Sequence, residues 1–315
     1  MNEINNKIKV IFIGTPDFGI PTIKALAQDE RFEIIAVITQ PDMPAGRQQI
    51  ITPSPIKNIA QKYGWLILQP KKIKEITKQI KNLQPDIIIV IAYSQIIPEE
   101  ILAIPKYGCI NLHGSLLPKY RGAAVIQAAI LNNEKETGLT IIKMDSKLDT
   151  GPILAQTTMP IDANDTYGSL YDKLANLAPD FFISTLIKYI YGKITPQKQD
   201  EAMASYVNQI TKSDGLIDWN KKASEIKNLV NAMSPWPSAW TWWNGKQLKI
   251  ISVQNKPIEI NTYKPGKTFI YNRGLSIQCG QDALIINKLQ LEGKKELTSQ
   301  EFLSGQRDFI GNVLS

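Results

Sequence analysis

The chain has 315 residues, of which 43% are apolar, and this is enough to bury the cores of two medium-sized domains. Two cysteines and a single histidine exclude a disulfide framework and most zinc sites, so we expect no structural metal. The net charge of +7 is concentrated in residues 209–315, where 14 basic against 9 acidic side chains give +5. This excess of basic residues is expected for a protein that binds an acidic polymer. The surface charge of an ordinary soluble protein explains it equally well.

The chain contains no apolar run of the roughly 18 residues that a membrane-spanning helix needs. Its first residues, MNEINNKIKV, lead directly into a strand and lack the apolar region of a secretory signal. We therefore expect a cytoplasmic protein that does not bind a membrane.

The first part of the chain alternates between β-branched apolar runs and amphipathic segments. A buried strand at 7–13 and the turn GTPDFG precede a helix near 20–28, for which Asp17 is a candidate cap, and a second strand follows at 32–39. This βαβ opening predicts a right-handed crossover and a doubly wound sheet. The later predicted elements are helices at 55–63, 73–83, 124–131 and 166–191, and strands at 65–68, 86–92, 109–113, 137–144 and 153–158.

The end of the chain has a different pattern. Residues 192–208 are polar and have no clear period, which is typical of an interdomain linker. A short helix and four apolar runs separated by Gly, Asn and Lys follow, at 223–233, 248–253, 268–271, 275–278 and 283–291. We therefore predict an α/β domain with a doubly wound, mostly parallel sheet at 1–191, a linker at 192–208, and a small OB-like β-barrel at 209–315.

The turn after the first strand invites a dinucleotide-binding interpretation, which the residues do not support. GTPDFG lacks the GxGxxG spacing that lets a backbone approach a pyrophosphate. The second strand leads into Gln40 and not into an acidic residue that could bind a ribose hydroxyl. A tight turn between strand and helix accounts for Gly14.

The segment CINLHGSLLPKYRGAA, residues 109–124, holds the only histidine of the chain. Strand alternation places Asn111 and His113 on one face at the carboxyl end of a strand, where open α/β sheets bind their ligands. A single histidine is more often structural than catalytic, but the neighbouring amide, the following glycine and the SLLP turn are typical of a pocket rim.

A third polar group comes from the turn MDSKLDTGP, residues 144–152, where Asp145 and Asp149 are equal candidates and either could simply cap the turn. An amide, an imidazole and a carboxylate suit acyl transfer to an amine without a covalent enzyme intermediate. The first two donate to the oxyanion, and the carboxylate supports the imidazole and holds a water that carries the amine's proton. Ser115 lies too close to His113 in sequence for a triad, which argues against a serine hydrolase.

These motifs together resemble the methionyl-tRNA formyltransferase family. The resemblance rests on NLHGSLLPKYRGAA at 111–124, LDTGP at 148–152, GTPDF at 14–18 and TQPDMPAGR at 39–47. It extends over nearly the whole chain through IDW at 217–219 and PWPSAWT at 235–241. The SLLP motif alone would indicate only the wider folate-dependent formyltransferase superfamily.

The resemblance implies transfer of a formyl group from 10-formyltetrahydrofolate to the α-amino group of methionine on initiator tRNA. It implies catalytic roles for Asn111, His113 and Asp149, and so favours Asp149 over Asp145. The residues that match the family's folate-binding segments are Ser115, Leu116, Leu117, Pro118, Ile91 and Tyr93.

Residues 40–51 correspond to the insertion loop that reaches into the acceptor stem in this family, and Arg47 is the candidate contact with the first base pair or its phosphates. A solvated loop is the alternative for such a cluster of Pro and Gly. Several positions depart from the family pattern: Gln48 and Gln49 replace lysines, Ser94 and Gln95 replace Gly and Leu, and Val125 replaces proline. For Trp236, Trp240, Trp242 and Trp243 we favour packing in the core over stacking on bases.

Other activities remain as alternatives. A formyltransferase of the same fold could act on glycinamide ribonucleotide, an amino-sugar nucleotide or water, and a catalytically silent tRNA-binding protein belongs to a different class. The purine-pathway enzyme would lack the last 107 residues, and the amino-sugar enzyme would not need DMPAGR. A silent protein gives no reason for Asn111, His113 and Asp149 to occur together. We expect a monomer.

Overall fold

The computed structural model describes residues 7–46 and 48–315 and separates into two compact units. The first unit comprises the described part of Met1–Gly122 together with Gly138–Met159 and Tyr171–Tyr206, and the second comprises Ala123–Thr137, Pro160–Leu170 and Val207–Ser315. Most of the segment predicted as a linker therefore belongs to the first unit. The predicted domain limits stay a prediction.

The secondary structure of the chain up to residue 207 alternates between strands and helices. Its elements are β1 (Ile8–Gly14), α1 (Ile20–Gln28), β2 (Phe32–Ile38), β3 (Met43–Ala45), β4 (Ile50–Thr52), α2 (Pro55–Tyr63), β5 (Ile67–Leu68), α3 (Thr77–Leu83), β6 (Ile87–Ile91), α4 (Glu99–Leu102), β7 (Cys109–His113), β8 (Arg121–Gly122), α5 (Val125–Leu131), β9 (Glu136–Lys143), β10 (Ile153–Pro160), α6 (Tyr167–Ile190) and β11 (Tyr206–Val207).

A seven-stranded sheet in the order β10-β9-β7-β6-β1-β2-β5 organises the first unit. The pairs β1–β2, β1–β6, β2–β5 and β6–β7 are parallel, and β7–β9 is antiparallel. β6 is buried at every residue, as expected for a parallel strand that is covered on both faces. The predicted doubly wound, mostly parallel sheet is confirmed.

The winding of the sheet reverses between β1 and β6. From β1 the chain continues to β2 and β5 on one side and then returns to β6 and β7 on the other. The register pairs Gly14 with Ile91, so the carboxyl ends of these two strands are level. A Cβ atom at Gly14 would lie 2.7 Å from the carbonyl oxygen of Ile91, which explains the glycine. Open α/β sheets bind ligands at such a switch point.

Three local predictions in the first unit were wrong. Asp17 does not cap α1: a short 3-10 turn at Asp17–Gly19 separates it from the helix, and its carboxylate accepts a hydrogen bond from the hydroxyl of Tyr171. The helix predicted from residue 73 begins with a 3-10 turn, Ile73–Ile76, before α3. In the segment predicted as a loop, 40–51, Met43 pairs with Thr52 in a short antiparallel hairpin, β3–β4.

The second unit contains an antiparallel sheet. Beyond residue 207 the elements are α7 (Ala223–Ala232), β12 (Ala239–Trp243), β13 (Lys246–Val253), β14 (Thr268–Tyr271), β15 (Gly274–Gln278), β16 (Ala283–Leu291), β17 (Leu297–Thr298) and α8 (Ser299–Gly305). The strand order is β12-β13-β16-β15-β14, and β17 pairs with β16. This antiparallel arrangement is consistent with the predicted small barrel-like domain.

Strand β12 was not predicted, and its tryptophans do not all enter the core. Trp243 is buried with its ring against Phe302 and Phe309, so the core prediction is confirmed for this residue. It is wrong for Trp236 and Trp242, which are exposed. Across the part of the chain that the structure describes, no helix is long and apolar enough to cross a membrane.

Candidate active site

Asn111 and His113 lie at the carboxyl end of β7 on the same face of the strand. Their exposed fractions are 8% and 6%, so only a small part of each side chain reaches the surface. Within residues 7–46 and 48–315, the side-chain amide of Asn111 makes no hydrogen bond. The amide is therefore available to donate to a ligand oxygen.

The orientation of the His113 ring follows from one hydrogen bond. Nε2 lies 2.8 Å from the carbonyl oxygen of Tyr120. A carbonyl can only accept, so Nε2 carries a proton in both the neutral and the charged ring. The remaining nitrogen, Nδ1, lies 3.7 Å from Oδ2 of Asp149. Nδ1 is therefore the atom of this ring that can gain and lose a proton in the site.

Asp149 lies in the turn between β9 and β10 with a φ of 53°, in the left-handed region, which costs a residue with a Cβ about 1–2 kcal/mol. Its Oδ2 accepts a hydrogen bond of 2.9 Å from the N–H of Gly122. Two residues later, a Cβ at Gly151 would lie 1.9 Å from the carbonyl oxygen of Lys143, so only glycine fits there. The left-handed residue and the close backbone contact restrict the conformation of this turn. In this conformation the Asp149 carboxylate points towards His113.

The structure separates the two candidate aspartates of this turn. Asp145 Oδ1 accepts hydrogen bonds from the hydroxyl of Thr150 at 2.6 Å and from the N–H of Lys147 at 3.1 Å. Its carboxylate therefore holds the turn together, the role that Asp commonly has in such positions. Only Asp149 faces the imidazole.

The distance of 3.7 Å between His113 Nδ1 and Asp149 Oδ2 is too long for a direct hydrogen bond. It is short enough for a third atom to lie about 2.8 Å from both, because two such bonds can span up to about 5.6 Å. An amine nitrogen or a water at this point can therefore contact imidazole and carboxylate together. The arrangement suits proton transfer from an incoming amine.

The SLLP loop after β7 divides into residues that hold the loop and residues that are accessible. The buried Ser115 hydroxyl donates to the carbonyls of Lys119 and Tyr120, and the N–H of buried Leu117 donates to the hydroxyl of Thr140. Leu116 and Pro118 are half-buried. Leu116 and Pro118 therefore have side-chain surface that a bound molecule could contact.

Two further predicted folate residues, Ile91 and Tyr93, lie at the carboxyl end of β6 and just after it. Ile91 is fully buried at the switch point. The hydroxyl of Tyr93 is buried without a hydrogen-bond partner among the described residues, and burial raises the pKa of this phenol to about 12. It therefore stays protonated at neutral pH and can donate a hydrogen bond.

The residues that depart from the family pattern after β6 make contacts within the chain. The hydroxyl of Ser94 accepts a hydrogen bond from Gln40. Gln95 accepts from the N–H of Ile73 at 2.8 Å and donates to the carbonyl of Lys71 at 3.1 Å. These contacts fix the loop after β6 against the segments that contain Gln40 and Ile73.

The hairpin β3–β4 is anchored at its base through Asp42. Its carboxylate accepts hydrogen bonds from Gln69 at 2.8 Å and from Lys57 at 2.6 Å and 2.8 Å, and these two groups hold the pKa of Asp42 below its usual value. Gln48 and Gln49 are exposed at the turn. Arg47, the predicted tRNA contact, lies outside the described residues.

Sequence reasoning missed two side chains beside the Asp149 turn. Arg121 and Gln199 are both buried, and they link the segment after the SLLP loop to this turn. Arg121 belongs to the resembling motif, but no local pattern marks Gln199. No group of three or more His, Cys, Asp or Glu side chains in the described ranges is placed to hold a metal ion.

Comparison with known proteins identifies the family. Residues 6–186 match the family model "Formyl transferase" and residues 209–307 match "Formyl transferase, C-terminal domain". The methionyl-tRNA formyltransferase of Geobacter metallireducens is 43% identical over 95% of this chain and 96% of its own length. That of Clostridium novyi is 42% identical over 98% of this chain and its full length. This chain belongs to the methionyl-tRNA formyltransferase family.

Solved structures extend the comparison to other members of the formyltransferase fold. WlaRD, a sugar 3N-formyl transferase solved in the presence of dTDP and 5-N-formyl-THF, has a TM-score of 0.66 and 25% identity, covering 92% of this chain and all of its own. HypX from Aquifex aeolicus, solved with tetrahydrofolic acid, has a TM-score of 0.65 over 97% of this chain and 48% of its own, and its 16% identity shows the fold alone. As a member of the methionyl-tRNA formyltransferase family, this chain is a formyl-transferring enzyme of a folate-dependent group.

Proposed function

We propose that this enzyme transfers the formyl group of 10-formyltetrahydrofolate to the α-amino group of methionine carried on initiator tRNA. The observation that supports this most directly is the convergence of three groups at the carboxyl end of β7. These are the amide of Asn111, which has no hydrogen-bond partner among the described residues, Nδ1 of His113, and the carboxylate of Asp149 at 3.7 Å from that nitrogen.

The residues at the switch point fit a folate. The phenol of Tyr93 is a buried donor without a partner among the described residues, and Leu116 and Pro118 offer apolar surface at the neighbouring loop. A pterin ring combines an apolar face with polar edges, and pockets for such rings combine apolar walls with a few placed polar groups. The bound folate supplies an activated formyl group; the chain's own residues must position it and move the protons.

Asn111 and the protonated Nδ1 of His113 donate hydrogen bonds to the formyl oxygen, on which negative charge develops as the amine attacks. Removing one donor of this kind typically costs roughly 10² to 10³ in rate. Asp149 accepts the proton that the amine must lose, directly or through a water bound to Oδ2. It then returns this proton to the folate nitrogen that carries the formyl group, so that the bond between this nitrogen and the formyl carbon breaks and neutral tetrahydrofolate leaves. Positioned proton transfer contributes roughly 10² to 10⁴. Since no nucleophile of the chain forms a bond to the formyl carbon, Ser115 is free to hold its loop.

We assign the tRNA to the basic part of the chain and to the hairpin β3–β4. Residues 209–315 have a net charge of +5 from 14 basic and 9 acidic residues, which favours contact with phosphates through counterion release. Arg47 is the proposed contact with the end of the acceptor stem. The monomeric state and the cytoplasmic location stay predictions.

The test is an acceptor assay with 10-formyltetrahydrofolate that carries a labelled formyl group. The purified enzyme receives methionyl initiator tRNA, a sugar nucleotide with a free amine, glycinamide ribonucleotide, or no acceptor except water. We expect label in formylmethionyl-tRNA only. A higher kcat/KM for the sugar nucleotide than for the tRNA would contradict the proposed acceptor, and binding of tRNA without transfer of label would contradict the proposed activity.

A further inference from the structure

We propose that Gln199 is a positioning residue for Asp149, and that Arg121 sets the orientation of the Gln199 side chain. This inference rests on the proposed catalytic role of Asp149. Gln199 lies 50 residues after Asp149 in the chain, in the segment 197–206 that follows α6. Backbone hydrogen bonds of 2.7 Å and 2.8 Å between Gln197 and Ile153 place this segment beside the first residue of β10.

The amide nitrogen of Gln199 holds the backbone of the Asp149 turn at two points. Nε2 donates to the carbonyl oxygen of Asp149 at 2.7 Å and to that of Gly151 at 2.8 Å. Its side chain is among the buried polar groups of the chain, with 4% of the residue exposed. One NH₂ group thus joins the two carbonyls that flank Thr150, within the stretch where Asp149 has a left-handed backbone.

Arg121 leaves the Gln199 amide only one orientation. Its guanidinium donates to Oε1 of Gln199 from Nη2 at 2.9 Å and from Nε at 3.2 Å. A guanidinium has donors and no acceptor, so the oxygen of the amide must face it. The nitrogen must then face the turn, where both partners are carbonyls. The hydrogen bonds from Arg121 to Gln199, and from Gln199 to the two carbonyls of the turn, can therefore form with only one orientation of the Gln199 amide.

The Arg121 side chain is itself held from its other edge. It is fully buried, and Glu201 accepts from Nη1 at 2.9 Å and from Nη2 at 2.8 Å in a two-pronged pair. The hydroxyl of Tyr206 accepts a third bond from Nη1 at 2.8 Å. Glu201 raises the pKa of Arg121 further above its already high value, so the guanidinium keeps its charge. A fixed cation of this kind gives Gln199 a fixed partner.

Arg121 also acts on the other end of Asp149 through its neighbour in the chain. The N–H of Gly122 donates to Oδ2 of Asp149 at 2.9 Å, and the N–H of Arg121 is tied to the carbonyl of Ser205 at 2.7 Å. The carboxylate is therefore held through Gly122, and the backbone that carries it is held through Gln199. Arg121 is linked to both contacts, because it bonds to the Gln199 side chain and directly precedes Gly122.

A merely structural role for Gln199 would predict a loss of stability that is independent of Asp149. A positioning role predicts that the Gln199 substitutions no longer lower activity once Asp149 has no proton-accepting carboxylate to position.

The test places Q199M and Q199E in the wild-type chain and in a D149N chain. Methionine removes every hydrogen bond at similar volume, whereas glutamate keeps the oxygens that Arg121 needs and removes the donor to the turn. The matched control is Q290M, because Gln290 also donates to a turn carbonyl, that of Lys294 at 2.8 Å.

We expect D149N to lower kcat for formylation of methionyl-tRNA by roughly 10² to 10⁴-fold. Q199M and Q199E should each lower kcat by about 10 to 100-fold, since displacement of a catalytic group by about 1 Å can cost 10²-fold. The KM values for tRNA and folate should stay within threefold. In the D149N chain the Gln199 substitutions should change kcat by less than twofold, and Q290M should leave kcat within twofold of the wild type.

Four results would overturn the inference. Equal losses from Q199M in the wild-type and D149N chains would show that Gln199 acts independently of Asp149. Full activity of both Gln199 variants beside an impaired D149N would refute the positioning role while leaving the proposed function intact. Unfolding of both Gln199 variants, followed by circular dichroism, would show that this side chain holds the domain and not the turn. A D149N enzyme within threefold of the wild type would instead refute the proposed role of Asp149, and this inference with it.

Discussion

A single methyl group at Gly151 tests how closely the Asp149 turn must be held. A Cβ at this position would lie 1.9 Å from the carbonyl oxygen of Lys143, whereas contacts under 3.0 Å are essentially never found, so the two backbones must separate by at least 3.0 − 1.9 = 1.1 Å. Lys143 is the last residue of β9 and pairs with Ile110 in the sheet, which resists movement. The turn must therefore move, and Asp149 moves with it.

Misplacement of a catalytic group by about 1 Å can cost 10²-fold in rate, so we expect kcat of Gly151→Ala to fall by about 10²-fold. Overpacking of this kind also costs about 1–3 kcal/mol of the free energy of unfolding. The assay is the initial rate of methionyl-tRNA formylation at saturating folate and tRNA, with thermal unfolding of the same samples. Gly305→Ala is the matched control, because nothing lies within 4 Å of a Cβ at this last residue of α8. A folded Gly151→Ala enzyme with kcat within threefold of the wild type would refute the argument.

Four further predictions concern other parts of the chain. His113→Ala should lower kcat by at least roughly 10²-fold with tRNA affinity nearly unchanged, and kcat within threefold of the wild type would contradict its catalytic role. Arg47→Ala should raise KM for tRNA far more than KM for folate; equal effects would contradict the proposed contact. The affinity for tRNA should fall steeply as salt rises, and a flat response would remove the electrostatic argument. Burial raises the pKa of the Cys109 and Cys279 thiols to about 12, so an aromatic disulfide reagent at pH 8 should react with neither in the folded enzyme and with both in denaturant. Since unfolded thiols ionise above about pH 8.5 and the folded ones do not, their contribution to stability is complete below that pH and is lost as the pH rises towards 12; a flat urea midpoint from pH 8 to 11 would contradict this.

The fold could be predicted where one physical signal dominates. Near-continuous apolar runs indicated β1 and β6, which are covered on both faces, and β-branched runs indicated β14 and β16 within one residue of their ends. Strand β12 was not predicted, because its sequence, AWTWW, has tryptophan on both faces and this hides the period of two. In the structure Ala239, Thr241 and Trp243 point inward and Trp242 points to solvent, which is ordinary strand alternation.

The site could be predicted only in part, because its members depend on contacts over different distances along the chain. Asn111 and His113 share a strand, so alternation alone brings them to one face. Asp145 and Asp149 belong to one turn and are chemically identical. What separates them is a hydrogen bond from Thr150 to the first and the left-handed backbone of the second, and neither is visible in the residue pattern. Gln199 joins the site from 50 residues away through a buried contact that no local pattern encodes.

This difference in distance has a consequence for how the site is held. The His113 ring is fixed by a neighbour seven positions away, the Tyr120 carbonyl, whereas Asp149 is fixed by contacts 27 and 50 positions away, from Gly122 and Gln199. Imidazole and carboxylate are thus oriented by separate sets of hydrogen bonds, and they do not bond directly to each other across their 3.7 Å separation. A pair that is held apart in this way keeps space for the atom whose proton it moves. Preorganisation of this kind lowers the reorganisation needed when charge develops, which is the largest single contribution in many enzymes.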